Sequence, residues 1–92
     1  METVTLKNSI TIDNKEVKEI NLDFSKLTGY ALIEAESKSR LMGDATPDLA
    51  FSMKYQALLA SKASGIKYDD ILALPASDMI AVITTVKSFL FG

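Results

Sequence analysis

The sequence predicts an α+β domain, with an N-terminal β-hairpin over about residues 3–24 and three or four α-helices after it. Two observations carry that reading. Apolar residues recur at every second position up to Phe24, and at every third or fourth position from Thr28 onward. The 92 residues are 48% hydrophobic and 24% charged, the composition of one small folded domain spanning 1–92 rather than of a disordered chain. A chain this short buries about two thirds of its unfolded surface, so its core is modest.

In the hairpin, Val4, Leu6, Ile10 and Ile12 share one face, while Thr3, Thr5, Lys7, Ser9 and Thr11 share the other. Alternation with many β-branched residues is the mark of a half-buried strand, and Asn8 is its one polar break on the inner face. Asp13-Asn14 supplies two residues that tolerate the left-handed backbone of a tight turn. The second strand is expected over Lys15 to Phe24 with Val17, Ile20, Leu22 and Phe24. Val17 is out of phase with the others, and a bulge near Lys18-Glu19 would bring both halves onto one face. A two-stranded hairpin is marginal alone, so helices or a partner must cover it.

The first helix is expected over 29–42, with Thr28 as its N-cap and Gly43 as its stop. Glu34 with Lys38, and Glu36 with Arg40, are acid-before-base pairs four apart on it. Thr46-Pro47-Asp48 reads as the start of a second helix over 47–64: a capping hydroxyl, proline at the first helical position, then an acid. Gly65 ends it, and Ile66 is placed for the hydrophobic contact that follows such a cap. Asp69 is expected to cap a short helix over 69–74, and Pro75 separates it from a last helix over 77–90.

The chemistry available is narrow. No cysteine and no histidine are present. Disulfides, thiolate metal sites, cysteine nucleophiles and the commonest general base are therefore out of reach. The serines have no histidine to activate them, and the four glycines lie at helix ends rather than in a phosphate-cradling cluster. Asp69-Asp70, the only adjacent carboxylate pair, is read as helix capping. No catalytic, cofactor-binding or metal-ligating residue is expected, and the chain is read as a non-enzyme. Ten basic residues stand against 12 acidic ones, scattered and interleaved, so no basic face for nucleic acid is expected. Pro75, Asp78 and Lys87 interrupt the most apolar stretch, Ile71 to Phe91, which argues against a membrane span. The opening residues lack a signal-peptide pattern, and the expectation is a soluble cytoplasmic protein.

The helices are more telling as surfaces. The last helix carries Met79, Val82, Ile83, Val86, Phe89 and Leu90 on one stripe, and Ile80, Thr84, Lys87 and Phe91 on a second line. The second helix has Leu49, Met53, Ala60 and Ala63 on one side and Phe51, Tyr55 and Leu58 roughly opposite. The first has Tyr30, Ile33 and Leu41 against Leu32, Ala35 and Met42. Two readings compete: the second helix is simply central and buried on both sides, or the surplus stripes bind another chain. On the second reading Ile80, Phe89, Phe91, Phe51, Tyr55 and Leu58 are the candidate interaction residues, with room for homo-oligomers.

Several segments resemble, in order and spacing, the phage tail assembly chaperone family of contractile-tailed phages and prophages. They are Thr3-Val4-Thr5-Leu6, Ile10-Thr11-Ile12-Asp13, Leu22-Asp23-Phe24-Ser25-Lys26-Leu27-Thr28-Gly29, Leu32-Ile33-Glu34-Ala35-Glu36, Thr46-Pro47-Asp48-Leu49-Ala50, Tyr68 through Asp78, and Ser88-Phe89-Leu90-Phe91. The similarity spans nearly the whole chain and rests on no single chemical motif. The family often has glycine at the hairpin tip where this chain has Asn14, which can take the same backbone shape. The resemblance implies a cytoplasmic accessory to virion morphogenesis that binds the tape-measure protein, helps recruit tail-tube protein, and is absent from the mature virion. It also implies a longer product made by ribosomal frameshifting near the end of the gene, for which codons of Ser88-Phe89-Leu90 could form a slippery heptamer. It carries no catalytic or ligand residue. Two alternatives stay open: a structural tail or baseplate component, and an unrelated small protein-binding adaptor.

Overall fold

Strand β1, Glu2–Ile12, pairs antiparallel with strand β2, Lys15–Leu22, in a computed structural model that describes residues 1–92. Asp13 and Asn14 join them with φ of 52° and 64°, the two positive values that a primed two-residue turn requires. The hairpin is followed by four helices, so the α+β architecture expected from the periodicity is the one found: α1 Gly29–Leu41, α2 Met53–Ser64, α3 Tyr68–Leu72 and α4 Ala76–Phe91.

The bulge lies on the other strand from the one expected. Thr5 pairs with Glu19 and Ile10 pairs with Val17, so Leu6, Lys7, Asn8 and Ser9 together oppose only Lys18. That odd excess of residues in β1 repairs the phase of Val17, and puts Val4, Leu6 and Ile20 on the same face as Ile10 and Val17. A bulge strips backbone N–H groups of their ladder partners. Here the buried carboxylate of Asp78, in the first turn of α4, takes them: the Lys7 N–H donates at 2.8 Å and the Asn8 N–H at 3.1 Å. Asp78 thus ties the hairpin to α4 across 70 and 71 residues of chain. Those two donors, Lys7's first, lower its pKa against the opposing effect of burial.

Strand β2 stops at Leu22, before the expected Phe24, because Asp23 caps a single 3-10 turn over Phe24–Lys26 by accepting from the Ser25 N–H at 3.1 Å. The Asp23 N–H donates to the Ala63 carbonyl at 3.0 Å, which anchors the end of the hairpin on α2.

Helix α1 starts as expected, with Thr28 accepting from the Ala31 N–H at 3.2 Å, and Gly43 beyond its end takes φ +85°. The expected start of the second helix is overturned. Thr46-Pro47-Asp48 opens no α-helix: Thr46 accepts from no helix N–H and instead donates its own N–H and hydroxyl to Asp44. The Asp44 carboxylate accepts from the Thr46 N–H at 3.0 Å, the Thr46 hydroxyl at 2.6 Å, the Ser39 hydroxyl at 2.8 Å and the Ser52 hydroxyl. Arg40 braces the same loop by donating to the carbonyls of Asp44 at 2.9 Å and Thr46 at 2.8 Å. Asp48 caps only a 3-10 turn over Leu49–Phe51, and Ser52 is the true N-cap of α2, accepting from the Tyr55 N–H at 3.3 Å. Asp69 is no cap either: α3 begins at Tyr68 after Lys67, which makes no side-chain cap bond, and Asp69 and Asp70 occupy its first turn. The last helix starts one residue earlier than expected and runs one residue further.

Helix α2 is the centre of the fold, in contact with α1, α3, α4 and β2. It buries Tyr55, Gln56, Ala57, Leu59, Ala60 and Ala63, which wrap well beyond one stripe. Burial on more than one side is thus the reading that holds for this helix. Alanines at 57, 60 and 63 let the neighbouring elements approach closely. The core closes around Leu59 with Ile20 and Leu22 of the sheet, Ile71 of α3, and Val82 and Val86 of α4.

Candidate protein-interaction surface

Once this core is closed, α4 shows its second line to solvent. Met79, Val82, Ile83 and Val86 are buried, and Ile80, Thr84, Lys87 and Phe91 are turned outward or to the side. Ile80 and Phe91 share that line, about 16 Å apart at 1.5 Å per residue. The Asp44-organised loop carries Phe51 to the far end of α4, where it stacks on Phe91 with ring centroids 4.9 Å apart and planes 23° apart. Both rings remain more exposed than buried. An aromatic pair held together yet left open to water is a preformed apolar contact surface.

The other sequence-predicted residues are sorted differently. Phe89 stacks on Phe24 at 4.5 Å and 14°, so it clamps α4 to the end of the hairpin while still exposing an edge. Tyr55 is only 8% exposed, and its hydroxyl donates to the Leu32 carbonyl at 3.3 Å. Its place is the α1–α2 interface, and the expectation that it faces a partner is corrected. Burial raises its hydroxyl pKa, with a smaller contribution from Glu36. Leu58 is half-buried against the core. The structure therefore gathers Phe51 and Phe91, places Ile80 further along the same face, turns Phe89 to another side, and withdraws Tyr55.

Reading the sequence missed Asp44 and Asp78 as organising residues. Each looks like an ordinary surface acid, and the signal available was indirect: Asn8 and the phase slip at Val17 for Asp78, and the hydroxyls of Ser39, Thr46 and Ser52 spaced around Asp44. Their carboxylates are saturated by donors. Ser52, Thr46 and Ser39, in that order of influence, hold Asp44 well below the usual carboxylate range. No three carboxylates converge into a cation site, and no helix is long and apolar enough to cross a membrane.

A second apolar face, on α1, was visible in the sequence only as one of two stripes. Ala31, Leu32, Ala35 and Ser39 turn toward the fold, and Tyr30, Ile33 and Leu41 turn out. No family model, curated protein or solved structure matches this chain.

Proposed function

We propose that this protein is a phage or prophage tail assembly chaperone. It acts by binding rather than by catalysis, holds the tape-measure protein during tail morphogenesis in the host cytoplasm, helps recruit tail-tube protein, and does not remain in the mature virion. The observation that carries the reading is the open Phe51–Phe91 stack, a preformed aromatic surface with Ile80 further along the same face of α4. The ordered sequence resemblance along the chain supplies the class of partner. A tape-measure protein is a long helical chain, and an apolar stripe of such a helix is a natural complement to a shallow aromatic surface.

Co-expression with the tape-measure protein encoded alongside it is the test. Co-purification that Phe51→Asp with Phe91→Asp reduces at least tenfold is the expected result. Absence of co-purification, or full retention by that double variant, would overturn the proposal. Mass spectrometry of purified virions, if it found the chain at structural stoichiometry, would favour a tail component instead.

A further inference from the structure

We infer that the outward face of α1 is the contact of an antiparallel, two-fold pair between two copies of this chain. Tyr30 is 91% exposed, Leu41 88% and Ile33 62%, which makes α1 the bearer of the two most exposed large apolar side chains in the protein. With the small Ser37 they fall at i, i+3, i+7 and i+11, a heptad-like seam about 16 Å long. The inward line of α1 accounts for how this helix joins its own fold. Nothing within one copy covers the outward line.

Charge identifies the occupant and its direction. The acids Glu34 and Glu36 precede the bases Lys38 and Arg40 along α1, and Glu34 and Lys38 already lie 3.2 Å apart within the helix. A second α1 running antiparallel sets the acidic half of each copy against the basic half of the other. A parallel second copy would set like against like. Self-complementarity on reversal is the property of an isologous two-fold interface.

Shape agrees. A shallow, solvent-open depression lies at the start of α1, lined by Thr28, Gly29, Tyr30, Ile33 and Glu34, and Leu41 projects near the other end. When Leu41 of each copy enters the depression between Tyr30 and Ile33 of the other, Glu34 comes opposite the second copy's Lys38. The two Ser37 residues then meet near the axis, where a small side chain lets the helices approach. One helix pair buries an area at the low end for specific complexes, below about 1,200 Å² in total, so the association is concentration-dependent. It leaves Phe51, Phe91 and Ile80 free, and does not depend on the proposed function.

The full-length chain, followed by sedimentation equilibrium from about 1 μM to about 1 mM, should pass from monomer to dimer. Leu41→Asp should move that midpoint at least tenfold with unchanged circular dichroism, since Leu41 is exposed. Because the chain contains no cysteine, Ser37→Cys should give a cross-linked dimer under mild oxidation where Lys62→Cys does not. Glu34→Lys and Lys38→Glu should each weaken self-association, and a mixture of the two should recover it as a heterodimer. A monomer throughout, or a dimer indifferent to Leu41→Asp, would overturn the inference. So would an α1 face whose resonances respond to tape-measure protein but not to the chain's own concentration.

Discussion

The Phe51–Phe91 stack sets a sharp test of whether the exposed surface is preformed in solution, through a double-mutant cycle of Phe51→Ala, Phe91→Ala and the pair. Phe51 is 62% exposed and Phe91 52%, so each buries a little under half of its area or less. With about 200 Å² per phenylalanine, that is roughly 75 to 95 Å², worth about 2 kcal/mol each at about 25 cal/mol per Å². Compaction of the unfolded chain and the retained Cβ reduce this to about 1–1.5 kcal/mol for each single variant. The direct ring–ring term at 4.9 Å and 23° adds a coupling of about 0.5–1.5 kcal/mol, by which the double variant falls short of the sum. A domain of this size has about 5–14 kcal/mol of stability, so all three variants stay folded and any loss of partner binding reads on the surface itself. Urea unfolding followed by circular dichroism measures the cycle, and each single variant should move the midpoint by about 0.5–1 M. Coupling below about 0.3 kcal/mol would mean that the rings do not stack in solution, and would remove the argument for a preformed surface.

Leu59→Ala at the fully buried centre of α2 should cost about 3 kcal/mol and lower Tm by roughly 12–24 °C in calorimetry. Gly65 caps α2 at φ +77° with no atom within 4 Å of an added Cβ, so Gly65→Ala should cost about 1–2 kcal/mol from backbone conformation alone, measured by chemical denaturation. Asp44, Asp78 and Asp23 have folded-state pKa values held below their ordinary 3.8 by hydrogen-bond donors. Their stabilisation is therefore fully present above about pH 4 and is lost as pH falls through the folded values; urea midpoints should drop steeply below pH 4, and Asp78→Asn should flatten that drop. Asp78→Asn should also raise hydrogen exchange at Lys7 and Asn8 selectively, because the substituted amide offers only one acceptor oxygen to the two N–H groups.

Several elements set by local rules alone were legible in the sequence. Alternation placed the hairpin, Asp13-Asn14 its turn, Thr28 and Gly43 the ends of α1, and Gly65 the end of α2, because each depends on the backbone geometry of a few adjacent residues. The apolar line Met79, Val82, Ile83 and Val86 was equally readable from helical period. Of the candidate surface, Phe51, Phe91 and Ile80 could be named in advance, but not their grouping.

Only the tertiary structure decided the rest, since the deciding contacts span long stretches of chain. A phase slip at Val17 shows that a bulge exists but not which strand holds it; Asp78, on the last helix, settles that by supplying acceptors for Lys7 and Asn8. Thr46-Pro47-Asp48 obeys every local rule for a helix start, yet Thr46 is held in the loop as a donor to Asp44, and Ser52 accepts from the first turn of α2 instead. Apolar residues on both sides of α1 and α2 left their orientation undetermined by pattern. Packing resolved it, drawing Tyr55 inward against Leu32 and leaving Tyr30, Ile33 and Leu41 to water.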